Sequence, residues 1–229
     1  MDITAITFKT ERISDSLYRV IVQRADEVVL EKYYVGNDFD IYEFKLSPVP
    51  TDLPILIDFG ADYVIPAKVT VRVFAPMPIE YLAQMVSGGR DEIDIGRLVL
   101  WDKKKFYYGK LTGGELVYFY ESGITQSPVP RKDLAYLAID IENKDNEEWN
   151  LRRVLIDYNQ LSLFLKDDII YTELVRLQIE NKEVKLDYTD EAPIKDGALI
   201  LKGEENARKM GIYRLGKRTL KGLLFKGVI

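Results

Sequence analysis

Neither cysteine nor histidine occurs anywhere in this sequence. Disulfides, thiolate or imidazole zinc sites, cysteine nucleophiles and every Ser-His-Asp arrangement are thereby excluded, because each needs a side chain the chain lacks. Any catalysis must rest on carboxylates, lysine, tyrosine or an oxygen-ligated metal. Phosphate-cradling motifs are missing as well: there is no G-x-x-x-x-G-K-[ST], and no G-x-G-x-x-G between a strand and a helix, so a nucleotide-dependent enzyme is not expected. Asn and Gln together number twelve, while Ile, Lys, Glu and Tyr are frequent. That balance points to a heat-adapted prokaryotic host, with simple drift in composition as the plainer explanation. No window holds eighteen uninterrupted apolar residues, and acids precede any apolar run in the first twenty positions; the expectation is a cytoplasmic protein without a spanning helix or secretory signal.

What is present suits a packed globular protein: 47 % of the residues are hydrophobic and 30 % charged, far from the disordered regime. Two-residue periodicity dominates. In 182–188, Val184, Leu186 and Tyr188 share one face and Glu183, Lys185 and Asp187 the other, the pattern of a strand with one wet side. Residues 133–142 align Ala135, Leu137, Ile139 and Ile141, and 67–74 align Val69, Val71 and Val73. Further β-branched and aromatic runs fall at 17–23, 27–35, 41–46, 95–101, 106–108, 115–120, 151–158 and 169–179, with Gly- and Asn-containing turns between several of them. Helical spacing is confined to 79–86 and 204–210, where short helices are predicted. Strands that follow one another without long intervening helices predict an all-β, antiparallel, sandwich-like fold with very little helix.

At 229 residues the chain fits one large β domain or two small ones, and two are expected here. The small residues Ser87-Gly88-Gly89-Arg90 mark the boundary, giving an N-terminal domain over 1–88 and a C-terminal sandwich over 89–229; a hairpin loop within one continuous sandwich is the alternative. Residues 1–89 carry eight basic and thirteen acidic side chains, whereas 90–229 are balanced.

Carboxylates that interrupt apolar rows are the most informative polar residues. Glu173 falls among Ile169, Tyr171, Val175 and Leu177, and Glu121 follows Val117 and Phe119. A buried carboxylate must find an arginine, a tyrosine hydroxyl or a ligand, because leaving it unpaired costs several kcal/mol in order of magnitude. Glu43 has no such apolar row; two carboxylates drawn from Glu121, Glu173 and Glu43 would suit glycoside cleavage if they met, and strand-edge or salt-bridged acids are the plainer reading. Tyr118 and Tyr120 beside Arg153 could stack a sugar; core packing is the plainer role of these tyrosines. Asp91, Glu92 and Asp94, and the pair Asp167 and Asp168, could supply oxygen ligands to Ca²⁺ or Mg²⁺, but neither has the spacing of an EF-hand, and solvated acidic turns are the plainer reading. From Lys202 to Lys226 the chain holds eight basic residues against Glu204 and Glu205. Among these, Lys209, Arg214, Lys217, Arg218 and Lys221 could meet an anionic surface or an acidic partner. The apolar residues Leu220, Leu223, Leu224, Phe225, Val228 and Ile229 favour instead a segment that docks back onto the chain. An acidic balance, with pI near 5.1, argues against nucleic-acid binding.

Residues 94–193 resemble the archaeal family called Domain of Unknown Function 432. The resemblance rests on Ile93-Asp94 leading into Leu98-Val99-Leu100; on Lys105-Phe106-Tyr107-Tyr108-Gly109; and on Gly113-Gly114-Glu115-Leu116-Val117-Tyr118-Phe119-Tyr120-Glu121-Ser122. It continues through Pro128 and Pro130 to Ala138-Ile139-Asp140-Ile141-Glu142-Asn143, with Val154 beyond. It implies an archaeal, cytoplasmic, all-β protein with no assigned catalytic residues, and a membrane channel as a possible partner. Three readings follow. The first is a non-enzymatic binding or regulatory module that engages a protein partner or itself, without a cofactor. The others are a carbohydrate-active or sugar-binding protein using Glu121, Glu173 or Glu43, and a Ca²⁺-stabilised module.

Overall fold

The computed structural model describes residues 5–36, 42–87, 91–109, 114–203 and 211–213. The fold is nearly all β, and helix among the described residues is limited to short 3-10 turns such as Tyr158–Gln160. The chain divides into two compact units that share it in alternating pieces. Unit 1 takes residues 1–49 and 79–101, and unit 2 takes 50–78 and 102–229.

Unit 1 holds two three-stranded antiparallel sheets. The first has the order β1 (Ile6–Ser14), β2 (Leu17–Arg24), β3 (Glu27–Val35). The second places β7 (Glu80–Ser87) between β4 (Tyr42–Val49) and β8 (Asp91–Val99). Val20 and Val22 on the central strand β2 are fully buried, as are Ala83, Met85 and Ile95 of the second sheet. Phe8 stacks on Phe44 with ring centroids 4.8 Å apart. The helix predicted over 79–86 is strand β7, pairing on both sides in the registers Ala83↔Leu46 and Ala83↔Gly96. The i, i+3, i+4, i+7 spacing of its apolar residues is outweighed by two flanking ladders that satisfy its backbone and bury both of its faces. The boundary expected at 88 and 89 falls between β7 and β8, which pair with each other.

Unit 2 contains a four-stranded sheet in the order β12 (Trp149–Ile156), β5 (Ile55–Ile65), β10 (Glu115–Glu121), β9 (Lys104–Tyr108). Its larger sheet orders β16 (Ala198–Leu201), β13 (Leu163–Lys166), β14 (Ile169–Glu180), β11 (Leu134–Asn143) and β6 (Thr70–Pro78). There β15 (Glu183–Tyr188) also pairs with β14, and β17 (Gly211–Tyr213) pairs with β15. Most pairings are antiparallel, but β5 runs parallel to β10 and β11 parallel to β14. Registers carry apolar residues straight across the large sheet, as in the row Val71↔Ile141↔Leu177↔Leu186. Apart from half-buried Val71 at the edge, this row and its neighbour Val73↔Ile139↔Val175 are buried.

Candidate functional site

Glu173 lies on β14 where the strand breaks its alternation. The β11–β14 register shifts between Tyr136 and Ala138, so one extra residue of β14 is accommodated as a bulge. Tyr171 packs with Tyr136 and Phe74, while Val175, Leu177 and Ile179 join the opposite, interior row; the single apolar row expected from 169 to 179 changes face at Glu173. The carboxylate is fully buried, and it accepts hydrogen bonds from the backbone amides of Ser162 at 2.9 Å and Asp190 at 3.1 Å. Ser162 Oγ in turn accepts from the Gly203 amide at 3.0 Å. Gly203 admits no larger residue, because a Cβ there would stand 2.0 Å from the Gln160 carbonyl oxygen. Glu173 therefore ties β13, β14 and two loops together through these amides, a kind of partner not among the arginine, tyrosine hydroxyl or ligand expected for it.

Glu121 ends β10 and is exposed, a correction to its expected inward orientation. Its register partner is Asp58 of β5, whose other neighbour is Arg153 of β12. Asp58 is 4 % exposed and was not anticipated. Arg153 Nε lies 2.6 Å from one of its oxygens, and Arg152 Nε and the Gly60 amide lie 3.5 and 2.9 Å from the other. Burial would raise the Asp58 carboxyl, but the Gly60 amide and the two guanidinium groups outweigh it and hold the group below the usual carboxylate range. Gly60 takes φ 75° to turn its amide toward Asp58, a conformation that suits glycine. An acid inside the apolar run Ile55-Leu56-Ile57-Asp58-Phe59 was the available signal.

The tyrosines alternate away from Glu121. Tyr118 is 1 % exposed and donates to Asp52 Oδ1 at 2.9 Å; Lys103 Nζ contacts the same oxygen at 3.2 Å and sits 4.9 Å from the ring centroid. Burial pushes its phenol pKa up, as it does for half-buried Tyr120. On the face that carries Glu121 and Arg153, Phe106, Tyr108 and Phe119 pack over Leu56, Val117 and Leu155 instead. Glu43 is exposed on β4 of unit 1. The structure thus brings Glu121 and Arg153 together around Asp58, puts Tyr118 and Tyr120 on the reverse of that sheet, and holds Glu173 in the other sheet of unit 2.

The acidic turns have structural roles. Asp167 and Asp168 take φ of 50° and 60° as the two-residue turn between β13 and β14, and Glu92 and Asp94 both accept from Gln84 Nε2, at 3.2 and 3.0 Å. No group of three or more acids able to hold a metal ion occurs among the described residues. Lys209, Arg214, Lys217, Arg218 and Lys221, and the helix expected at 204–210, lie outside the described residues.

One concavity of unit 2 is mainly apolar. A groove of about 380 Å³ runs beside β6, and its lining includes Val71, Val73, Ile141, Tyr63, Ile65 and Ile124. β6 is an edge strand of the large sheet. Phe74 donates to and accepts from Thr125 at 2.9 and 2.8 Å, away from β11. Two-residue alternation then turns the N–H and C=O of Thr70 and Arg72 the same way, and there they meet no partner among the described residues. Arg72 folds its side chain aside, holding Asp140 at 2.6 and 2.8 Å and the Pro193 carbonyl at 2.9 Å.

Among known proteins, the model of the family described as Protein of unknown function (DUF432) matches residues 2–219. The chain belongs to that family. The match spans both units, further than the 94–193 region whose motifs carried the resemblance. No curated protein and no solved structure matches the chain. No helix of this DUF432 protein is long and apolar enough, among the described residues, to cross a membrane.

Proposed function

We propose that this protein is a non-enzymatic binding module that takes up an extended polypeptide segment as an added strand on β6. The observation that carries this reading is the coincidence of the Thr70–Arg72 edge, without a ladder partner among the described residues, with the apolar groove lined by Val71, Val73 and Ile141. Backbone hydrogen bonds along such an edge supply affinity, and alternate side chains seated in a groove supply selectivity. A membrane-channel partner, as the family resemblance suggests, would have to present a segment of this kind. A carbohydrate site has less support, because Glu121, Glu173 and Glu43 belong to three different sheets and Glu173 is occupied by backbone amides. The ion pairs of Arg19 with Glu11 and Glu31, at 3.1 and 2.9 Å, fit a heat-adapted archaeal cytoplasm.

The test is a phage-displayed random peptide library selected on the full chain. Selected peptides should alternate apolar and polar residues. They should bind Thr70→Pro about five- to tenfold more weakly, the cost of one outward hydrogen bond, while the thermal midpoint stays unchanged because an edge proline leaves the β11 ladder intact. Peptides that bind Thr70→Pro and Val71→Lys as well as the original chain would overturn the reading.

A further inference from the structure

In unit 1, β1 is an edge strand, and among the described residues it pairs only with β2. Ala25 donates its amide to the Ala5 carbonyl at 3.0 Å, which fixes the alternation along the strand. Ala5, Thr7, Lys9 and Glu11 turn their N–H and C=O toward β2, and Ile6, Phe8, Thr10 and Arg12 turn theirs to the open side. The register with β2 is unbroken from Ile6 to Arg12, so the open side is a regular row of donors and acceptors. We infer that this row pairs with β1 of a second copy of the chain, antiparallel and about a two-fold axis at Thr10, so that two three-stranded sheets become one continuous sheet. Thr10 then faces Thr10, a favourable cross-strand pair, and Phe8 faces Arg12. These are residues whose groups point outward, and each such pair exchanges two backbone hydrogen bonds. The inference is independent of the β6 groove.

Charge selects this register. Lys9 falls directly opposite Glu11 of the second copy, twice by symmetry, in the non-hydrogen-bonded positions where side chains stand closest. Moving the axis by one residue sets Lys9 against Lys9 or Glu11 against Glu11, and like charges directly opposite destabilise a pair. Both residues already belong to an ion-pair row on the face away from Phe8 and Val20. Lys9 Nζ lies 2.7 Å from Glu11 Oε1, and Arg19 Nη1 and Nη2 lie 3.1 and 2.9 Å from Glu11 Oε2 and Glu31 Oε2. Pairing carries that row across the axis with alternating sign: Arg19, Glu11, then Lys9 of the second copy. Exposed ion pairs add little affinity by themselves; here they fix which residues meet.

Affinity comes from the ladder and from the face beneath it. Phe8 is half-buried and stacks on half-buried Phe44, and in this register Arg12 of the second copy comes to lie on Phe8 as a cation–π contact. In the single chain Arg12 holds Asp15 at 3.1 Å and the Ser14 carbonyl at 3.3 Å, exposed contacts that are weak enough to exchange.

Sedimentation velocity on the full chain tests this, and a concentration-dependent dimer is the expected result. Lys9→Glu and Glu11→Lys should each weaken self-association about tenfold, because each sets like charges opposite one another at two positions. An equimolar mixture of the two variants should dimerise as the original chain does, since opposite signs meet again across the axis. Thr10→Pro should also weaken the dimer while leaving the thermal midpoint of the monomer unchanged, because Thr10 turns away from the β2 ladder. A chain that stays monomeric at high concentration would overturn the inference. Single variants that dimerise as well as the original would place the interface elsewhere and overturn it too, and a mixture that stays monomeric would exclude this register. Peptide uptake at β6 stands or falls separately from all of these results.

Discussion

Two buried acids solve the same problem in different ways. Asp58 is matched by Arg153 and Arg152, whereas Glu173 is matched by backbone amides of Ser162 and Asp190. A carboxylate can satisfy both amides at once because it only accepts; a carboxamide must turn a donor toward one of them. Glu173→Gln should therefore lower stability by about 1 to 3 kcal/mol. Glu173→Ala, which also leaves a cavity, should cost about 3 to 5 kcal/mol. Urea denaturation checks both, and a neutral Gln variant would contradict the two-amide role. Asp157 has the opposite electrostatics from Asp58. Burial, followed by the Glu115 carboxylate, raises its pKa against the hydrogen bond from Gln160. A raised group gives stability that is present below its unfolded value and lost as pH rises through the folded one, while a lowered group such as Asp58 gives stability that is lost as pH falls. Asp157→Asn should thus raise the melting temperature near pH 7 and change it little near pH 4; equal effects at both would refute the assignment.

At the scale of elements, alternation made most strands readable before any coordinates. β2, β3, β11, β14 and β15 fall within a few residues of their expected places, because a half-buried strand writes its two faces into the sequence. β5 and β13 were not read, since Ile55-Leu56-Ile57-Asp58-Phe59 is buried on both faces and shows no alternation. The bulge at Glu173 was equally silent: it depends on where β11 pairs, and pairing partners lie far away in sequence. That slip of one residue separated Glu173 from the interior row, whereas the tyrosines of β10 lie opposite Glu121 by plain alternation along an unbroken register. At Asp167-Asp168 the acids occupy a plain turn, the reading preferred over a ligand set, and its backbone takes two positive φ angles. Asn-Gly suits that two-residue turn better. The double change Asp167→Asn and Asp168→Gly should stabilise the protein by about 1 kcal/mol, read as a higher thermal midpoint that calcium or a chelator does not move.

For the whole molecule, two-residue periodicity announced an all-β chain, yet the assignment of strands to units was not written locally. The chain passes from one unit to the other after Val49, Pro78 and Trp101, and none of these points carries the glycine-rich signal that drew attention to residues 87–90. Small flexible residues mark a turn whether it joins two domains or two strands of one hairpin. The consequence is a test of where cooperative folding resides. A fragment of residues 89–229 lacks β5, the only strand among the described residues with which β12 pairs, and lacks β6, one of the two strands that flank β11. A fragment of residues 1–88 lacks β8 and leaves β5 without β10 or β12. Strands deprived of their ladders expose backbone groups and apolar faces that the missing partners had covered. Neither fragment should melt cooperatively in circular dichroism, and mixing the two should restore a transition. A sharp transition from 89–229 alone would show that its sheets close without β5 and β6, and would remove the β6 edge from the minimal folded unit on which peptide uptake depends.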